Sequence, residues 1–197
     1  MGLRLWKQHN RFRHNIEAAY QFGSFGNSTI SAWTLSADVD YRLEHMRFNP
    51  LLGLKTELIS GDADANDGSL QTFNPLFPRG GYFGLVALIG PANLFDVHPS
   101  VKLSLTERFS VTVDCDVFWR LQTADGIYGP NGAFERGANN SNSHFIGIQP
   151  GFEMAYEFNS FLEWSAEGSY FQTGNYLEQS GPAENLFHMV TTLKLRF

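Results

Sequence analysis

The sequence predicts an all-β protein: an antiparallel transmembrane β-barrel of about eight full strands plus an N-terminal strand stub. Three observations carry that prediction. Apolar and polar residues alternate with period two over runs of about ten residues or more. The links between these runs alternate between short and longer, and aromatic residues gather at the two ends of the apolar faces.

The elements follow in chain order. At 2–8, Leu3, Leu5 and Lys7 alternate with Arg4 and Trp6, a strand stub that reads as if the chain starts mid-wall. Residues 11–22 set Phe12, Ile16, Ala18, Tyr20 and Phe22 opposite Arg11, Arg13, Asn15, Glu17 and Gln21. Residues 30–43 set Trp33, Leu35, Ala37, Val39, Tyr41 and Leu43 opposite Thr34, Ser36, Asp38, Asp40 and Arg42. Shorter runs follow at 50–59 and 94–106. The clearest run is 108–121, where Phe109, Val111, Val113, Cys115, Val117, Trp119 and Leu121 share one face. Ser110, Thr112, Asp114, Asp116 and Arg120 share the other, and Phe118 alone breaks the pattern. Runs at 144–158, 160–172 and 185–197 complete the set.

Such strands exceed the five or six residues usual in soluble sheets and suit a tilted crossing of a bilayer, which takes about nine to eleven. Short links near 9–10, 44–50, 106–108 and 158–160 alternate with links near 23–29, 60–93, 122–143 and 173–184 that are mostly longer, two of them very long, as periplasmic turns alternate with extracellular loops. With the last strand ending in the periplasm, outward Tyr20, Phe22, Trp33, Trp119, Tyr170 and Phe187 form one girdle. Phe12, Tyr41, Phe109, Tyr156, Phe158, Trp164 and Phe197 form the other, around a middle of Ile16, Ala18, Ala37, Val111, Val113 and Ala166.

Composition narrows the function. A net charge of −6 gives no footprint for nucleic acid, and one cysteine, Cys115, excludes an internal disulfide and a cysteine-based zinc site. No apolar run is long enough for a transmembrane helix. The opening MGLRLWKQHNRFRH is no secretory signal, so a leader is expected upstream, with this chain a piece of a larger barrel. Neither HExxH nor GxSxG occurs, and the Asp38/Asp40 and Asp114/Asp116 pairs are successive residues on one strand face. No enzyme, cofactor or metal is expected. The run SGDADANDGS places Asp62, Asp64 and Asn66 as in a calcium loop, but Asp67 stands where glycine is needed and Phe73 where a bidentate glutamate is needed. It reads instead as a series of Asx turns leaving a strand.

The stretches GLRLWKQ, EAAYQFG, SGDADANDGSLQTFNPLFPRGGYFG, GPANLFDVHPSVKLSL, FWRLQTADGIYGPNG and LKLRF resemble the C-terminal part of the alginate export family of outer-membrane barrels. The resemblance spans essentially all of 1–197, taken as one domain, and is most specific over 60–104. It implies a large barrel of about eighteen strands, of which this chain supplies the C-terminal half. It also implies a lumen that passes an anionic uronate polysaccharide outward, and it leaves the polymer itself open. A terminal Phe197 on a lipid-facing strand is similar to the signal read by the barrel-assembly machinery.

The expected partners are therefore an anionic polysaccharide or small anionic solute, the lipid bilayer with its lipopolysaccharide, and that machinery. The candidate ligand-guiding cations at lumen or mouth are Arg79, Arg120, Lys102, Lys55, Arg42, Arg13, Lys194 and Arg196. They are interleaved with carboxylates, so for any one of them a bracing ion pair is the more direct reading, while the set as a whole reads as a polar conduit. Two other functions stand beside export: a general porin for small anions or nutrients, and a soluble β-barrel that binds ligands.

Overall fold

A computed structural model describes residues 1–77, 83, 86 and 88–197. Among these residues nine long strands form one antiparallel meander: β1 (Gly2–His9), β2 (Phe12–Phe25), β3 (Ser28–Arg42), β4 (Leu51–Ile59), β6 (Leu94–Ser104), β7 (Phe109–Trp119), β10 (Phe145–Glu157), β11 (Leu162–Thr173) and β12 (Leu186–Leu195). The short elements lie in the links. They are β5 (Ser69–Leu70), paired in parallel with β3, the hairpin β8 (Ile127–Tyr128) and β9 (Phe134–Arg136), and helix α1 (Asn175–Ser180). Each long strand pairs with its neighbours in sequence, while β1 and β12 each have a single pairing partner among the described residues. The sheet is thus open along those two edges.

The period-two runs become strands within three residues of their predicted ends, because one face is apolar and a slip of one residue would invert every side chain. Two details differ from expectation. The stub is a full strand, with all eight of its residues in register with β2. The link at 23–29 is a two-residue turn at Gly26–Asn27, with Phe25 opposite Ser28 and Gly26 at φ 59°. That left-handed backbone lets the strands continue to the turn. With 14 residues in β2, the strand is about 48 Å long and rises about 37 Å at a tilt near 40°, against an apolar band of about 25 Å.

Register aligns the outer face across strands: Phe12 with Tyr41, Tyr20 with Trp33, Tyr156 with Phe109 and Trp164, Tyr170 with Phe187. At the edge carrying the longer links, Phe95, Trp119 and Phe145 form a row, with ring centroids 5.1 and 6.2 Å apart. At the edge of short turns, Phe109, Tyr156 and Phe158 do the same, at 6.2 and 4.8 Å. Outward side chains such as Phe22, Val113, Phe187, Leu193 and Leu195 are exposed.

The buried core sits elsewhere, at the long-link end of the polar face. Ile59, Leu94, Phe118 and Phe171 point from four different strands toward Phe83, Ile89, Ile127, Tyr176 and Leu177, supplied by the links. Phe118, the break in the β7 alternation, meets Phe83 edge-on at 5.9 Å and Phe171 at 6.3 Å. The charged face turns apolar where the links fold over it.

Candidate functional site

The polar face is a lattice of ion pairs. Arg13, on β2, donates from Nε to Asp40 (2.5 Å) and from a terminal nitrogen to Asp38 (3.1 Å), both on β3. Arg4 reaches Glu17 at 3.1 Å, and Arg196 reaches Glu163 at 2.5 Å with Lys194 at 3.9 Å. Period two makes this possible, since cations and carboxylates at alternate positions meet across adjacent strands. Lys55, Lys102 and Arg42 are exposed on the same face and form no ion pair among the described residues.

Toward the core the balance becomes acidic. Glu57 stands opposite Asp96 in the β4–β6 register, and Asp116 follows on β7; all three are buried. His98 lies 3.5 Å from Asp114 and 3.4 Å from Asp116, close enough for ion pairing but without hydrogen-bond geometry. His98 therefore sits on the polar face. No group of three or more His, Cys, Asp or Glu residues among the described ones is arranged to hold a metal ion.

The links are tied together by two polar keystones. Arg120, only 1% exposed, donates all five guanidinium N–H groups to backbone carbonyls: Nε to Ser143, one terminal nitrogen to Thr123 and Asp125, the other to Ser141 and Ser143. Its plane lies 3.8 Å from the Tyr176 ring centroid, so it joins the 120–144 link to α1. Burial draws the Arg120 pKa below its ordinary value, and burial raises that of Tyr176. Asp125 is the second keystone. It accepts from the backbone N–H of Asp62 (3.0 Å) and Gly126 (2.7 Å) and from the hydroxyls of Thr72 (2.6 Å) and Tyr128 (2.9 Å). Burial, then the Asp125 charge, push the Tyr128 phenol up to about 12.

Asn93, fully buried, donates to the carbonyls of Gln122 and Gly126 and accepts from the Gln122 N–H. The 62–68 run is a ladder of Asx turns, Asp64 N–H to Asp62, Asn66 N–H to Asp64 and Ser69 N–H to Asp67.

The candidate cations thus separate. Arg13, Arg42, Lys55, Lys102, Lys194 and Arg196 lie on the polar face. Arg120 does not open onto it, because its donors are saturated by the links it holds. Arg79 lies outside the described residues. Asn93, Asp125 and Tyr176 were missed from sequence. They are scattered loop residues, and the one signal pointing to them was Phe118, an aromatic on a charged face.

An antiparallel sheet with an apolar, aromatic-edged face and a polar, ion-paired face is the construction of a β-barrel wall of the outer-membrane transport type. A family model described as alginate export matches residues 1–190, and the chain belongs to that family. A comparison with curated proteins finds no match. The family is one of transport and export at the outer membrane, and a role in alginate export follows at family level.

Proposed function

We propose that this chain forms part of the wall of an outer-membrane channel through which an anionic polysaccharide leaves the cell by passive, electrostatically guided passage. The observation that carries this reading is the charged face that the strands share up to the point where the links fold over it, backed by an exposed apolar face with aromatic ends. A lipid-spanning sheet with charges on one side requires water or partners on that side, which a lumen supplies. In this reading the nine strands lie within a closed barrel, since an open edge in hydrocarbon strands its N–H and C=O groups. Lys55, Lys102 and Arg42 offer weak, exchangeable contacts to a passing polyanion, and paired Arg13, Lys194 and Arg196 mainly brace the wall. The lipid bilayer, lipopolysaccharide and the barrel-assembly machinery, by way of the Phe197 strand, are the further partners.

Planar-bilayer conductance of the full protein tests this reading, with polymannuronate added on either side. Reversible block of the current by the polymer is expected. An open channel indifferent to it would overturn the export reading. It would favour the second one, a porin for small solutes, which the mixed charge of the polar face also supports.

A further inference from the structure

The row of rings at the edge of short turns borders an open groove of about 710 Å³. That volume falls within the roughly 300–1,000 Å³ of small-molecule sites. The groove lies where the turn between β6 and β7 meets the turn between β10 and β11. The Glu157 N–H donates to the Arg108 carbonyl at 2.9 Å, and the Arg108 guanidinium returns one bond to the Phe158 carbonyl at 3.2 Å. Within the first turn, Thr106 Oγ1 accepts from the N–H groups of Arg108 at 3.2 Å and Phe109 at 3.0 Å. Backbone hydrogen bonds therefore fix the rim of the groove.

The floor is aromatic. Phe109, Tyr156 and Trp164 stand in one register row across β7, β10 and β11, and Phe158 meets Tyr156 edge-on at 4.8 Å. The Trp164 indole N–H is taken by Thr191 Oγ1 at 2.9 Å, whereas the Tyr156 hydroxyl has no hydrogen bond among the described residues. The rim carries Glu107 and Arg108, both exposed. Neither forms an ion pair among the described residues, and a single Arg108 nitrogen is engaged there. A second cation at the same edge shows the contrast. Arg11, beside Phe12 and Tyr41, gives its Nε to Glu44 at 2.8 Å and has a terminal nitrogen 2.7 Å from His45 Nε2.

We propose that this groove is a seat for a phospholipid with a phosphoethanolamine headgroup, its acyl chains lying on the rings and its two charges meeting Arg108 and Glu107. The free guanidinium N–H groups match phosphate oxygens, and the Tyr156 hydroxyl is a further donor. The Glu107 carboxylate accepts from a primary ammonium, which sits two carbons from the phosphate as Glu107 sits one residue from Arg108. Aromatic rings of this kind favour the depth at which headgroup and chains join. A trimethylammonium head offers Glu107 no N–H donor. A phosphoglycerol head brings no cation and meets the like charge of Glu107, a repulsive element of specificity. The seat rests on the channel reading only for placing this edge at a membrane interface.

The test is native mass spectrometry of the delipidated full protein in detergent micelles, titrated with three dioleoyl lipids: phosphatidylethanolamine, phosphatidylcholine and phosphatidylglycerol. One ethanolamine lipid is expected to bind about fivefold more tightly than either of the others. Arg108→Gln is expected to weaken it about fivefold, and Glu107→Gln to abolish the preference over the choline lipid. Tyr156→Phe keeps the ring and removes one donor, with a loss of about twofold expected. Arg11→Gln is the control, since its charge is already spent on Glu44, and is expected to leave lipid binding unchanged.

Equal binding of the three lipids, tightest binding of the glycerol lipid, or unchanged affinity in Arg108→Gln would overturn the seat. If Arg108→Gln does not fold, Glu107→Gln decides, and an ethanolamine preference that survives it overturns the seat. The bilayer experiment fails independently. Lipid binding in the expected order, together with a current that polymannuronate does not block, leaves the seat standing and removes the export reading.

Discussion

Replacing Arg120 with methionine keeps much of the side chain's length while removing every N–H donor. The carbonyls of Thr123, Asp125, Ser141 and Ser143 then lose five hydrogen bonds between them, inside a region where Arg120 itself is 1% exposed. A buried acceptor left without a donor costs about 1–3 kcal/mol, so four such carbonyls set a gross penalty near the low end of about 4 kcal/mol. Loss of the contact with the Tyr176 face adds about 1 kcal/mol. Methionine no longer has to bring a charge out of water, which offsets part of this. A net loss of about 2–4 kcal/mol results, confined to the links, because the strand ladders do not use this side chain. Hydrogen exchange read by mass spectrometry on the protein in micelles is the assay. Protection of peptides from 120–144 and 174–185 is expected to fall by about 30- to 1,000-fold, and β2 and β3 peptides are expected to hold theirs. Unchanged loop protection, or an equal loss in β2 and β3, would refute the keystone role.

Three further outcomes are expected. The Tyr128 phenol has an ordinary value of 10.0 and titrates at about 12 in the fold, so its contribution is complete below pH 10 and is lost as pH rises through about 12. An alkaline absorbance titration should lose this late step in Tyr128→Phe, and absence of the step from the unsubstituted protein would refute the buried placement of Tyr128 beside Asp125. A Cβ added at Gly90 would collide with the Gly129 carbonyl, so Gly90→Ala should lower the stability of the link assembly by about 1–3 kcal/mol, read as faster proteolysis between 120 and 144. Arg13→Ala leaves Asp38 and Asp40 without their shared cation, so the reversal potential of the bilayer current in a salt gradient should shift toward cation selectivity, with folding judged by heat-modifiable gel mobility.

The strand pattern was legible because its physics is local. At β7, Val111, Val113 and Val117 against Thr112, Asp114 and Asp116 leave one orientation that keeps charge off the apolar face. The same logic fixes β2, β3 and β12. Ion pairs between neighbouring strands were legible as a class, since Arg13 and Asp40 need only adjacent antiparallel runs. The turn at Gly26–Asn27 was not legible, because glycine serves a long loop and a tight hairpin equally well. Arg120 was misread for a related reason. Its parity on β7 is that of the polar face, and only the return of Thr123, Asp125, Ser141 and Ser143 toward it determines that its donors are consumed.

The sequence by itself determined the all-β class, eight strands and the place of a ninth, their two faces and the family, because each depends on periodicity or on contiguous motifs. Tertiary structure alone decided where the links go: that Asn93, Asp125 and Arg120 stitch three of them into a cap over the end of the polar face, and that Gln21 on β2 fastens Asn74 of the link after β4. Those contacts join residues dozens of positions apart, in segments without a repeating pattern. Only the folded sheet brings their partners within hydrogen-bonding distance.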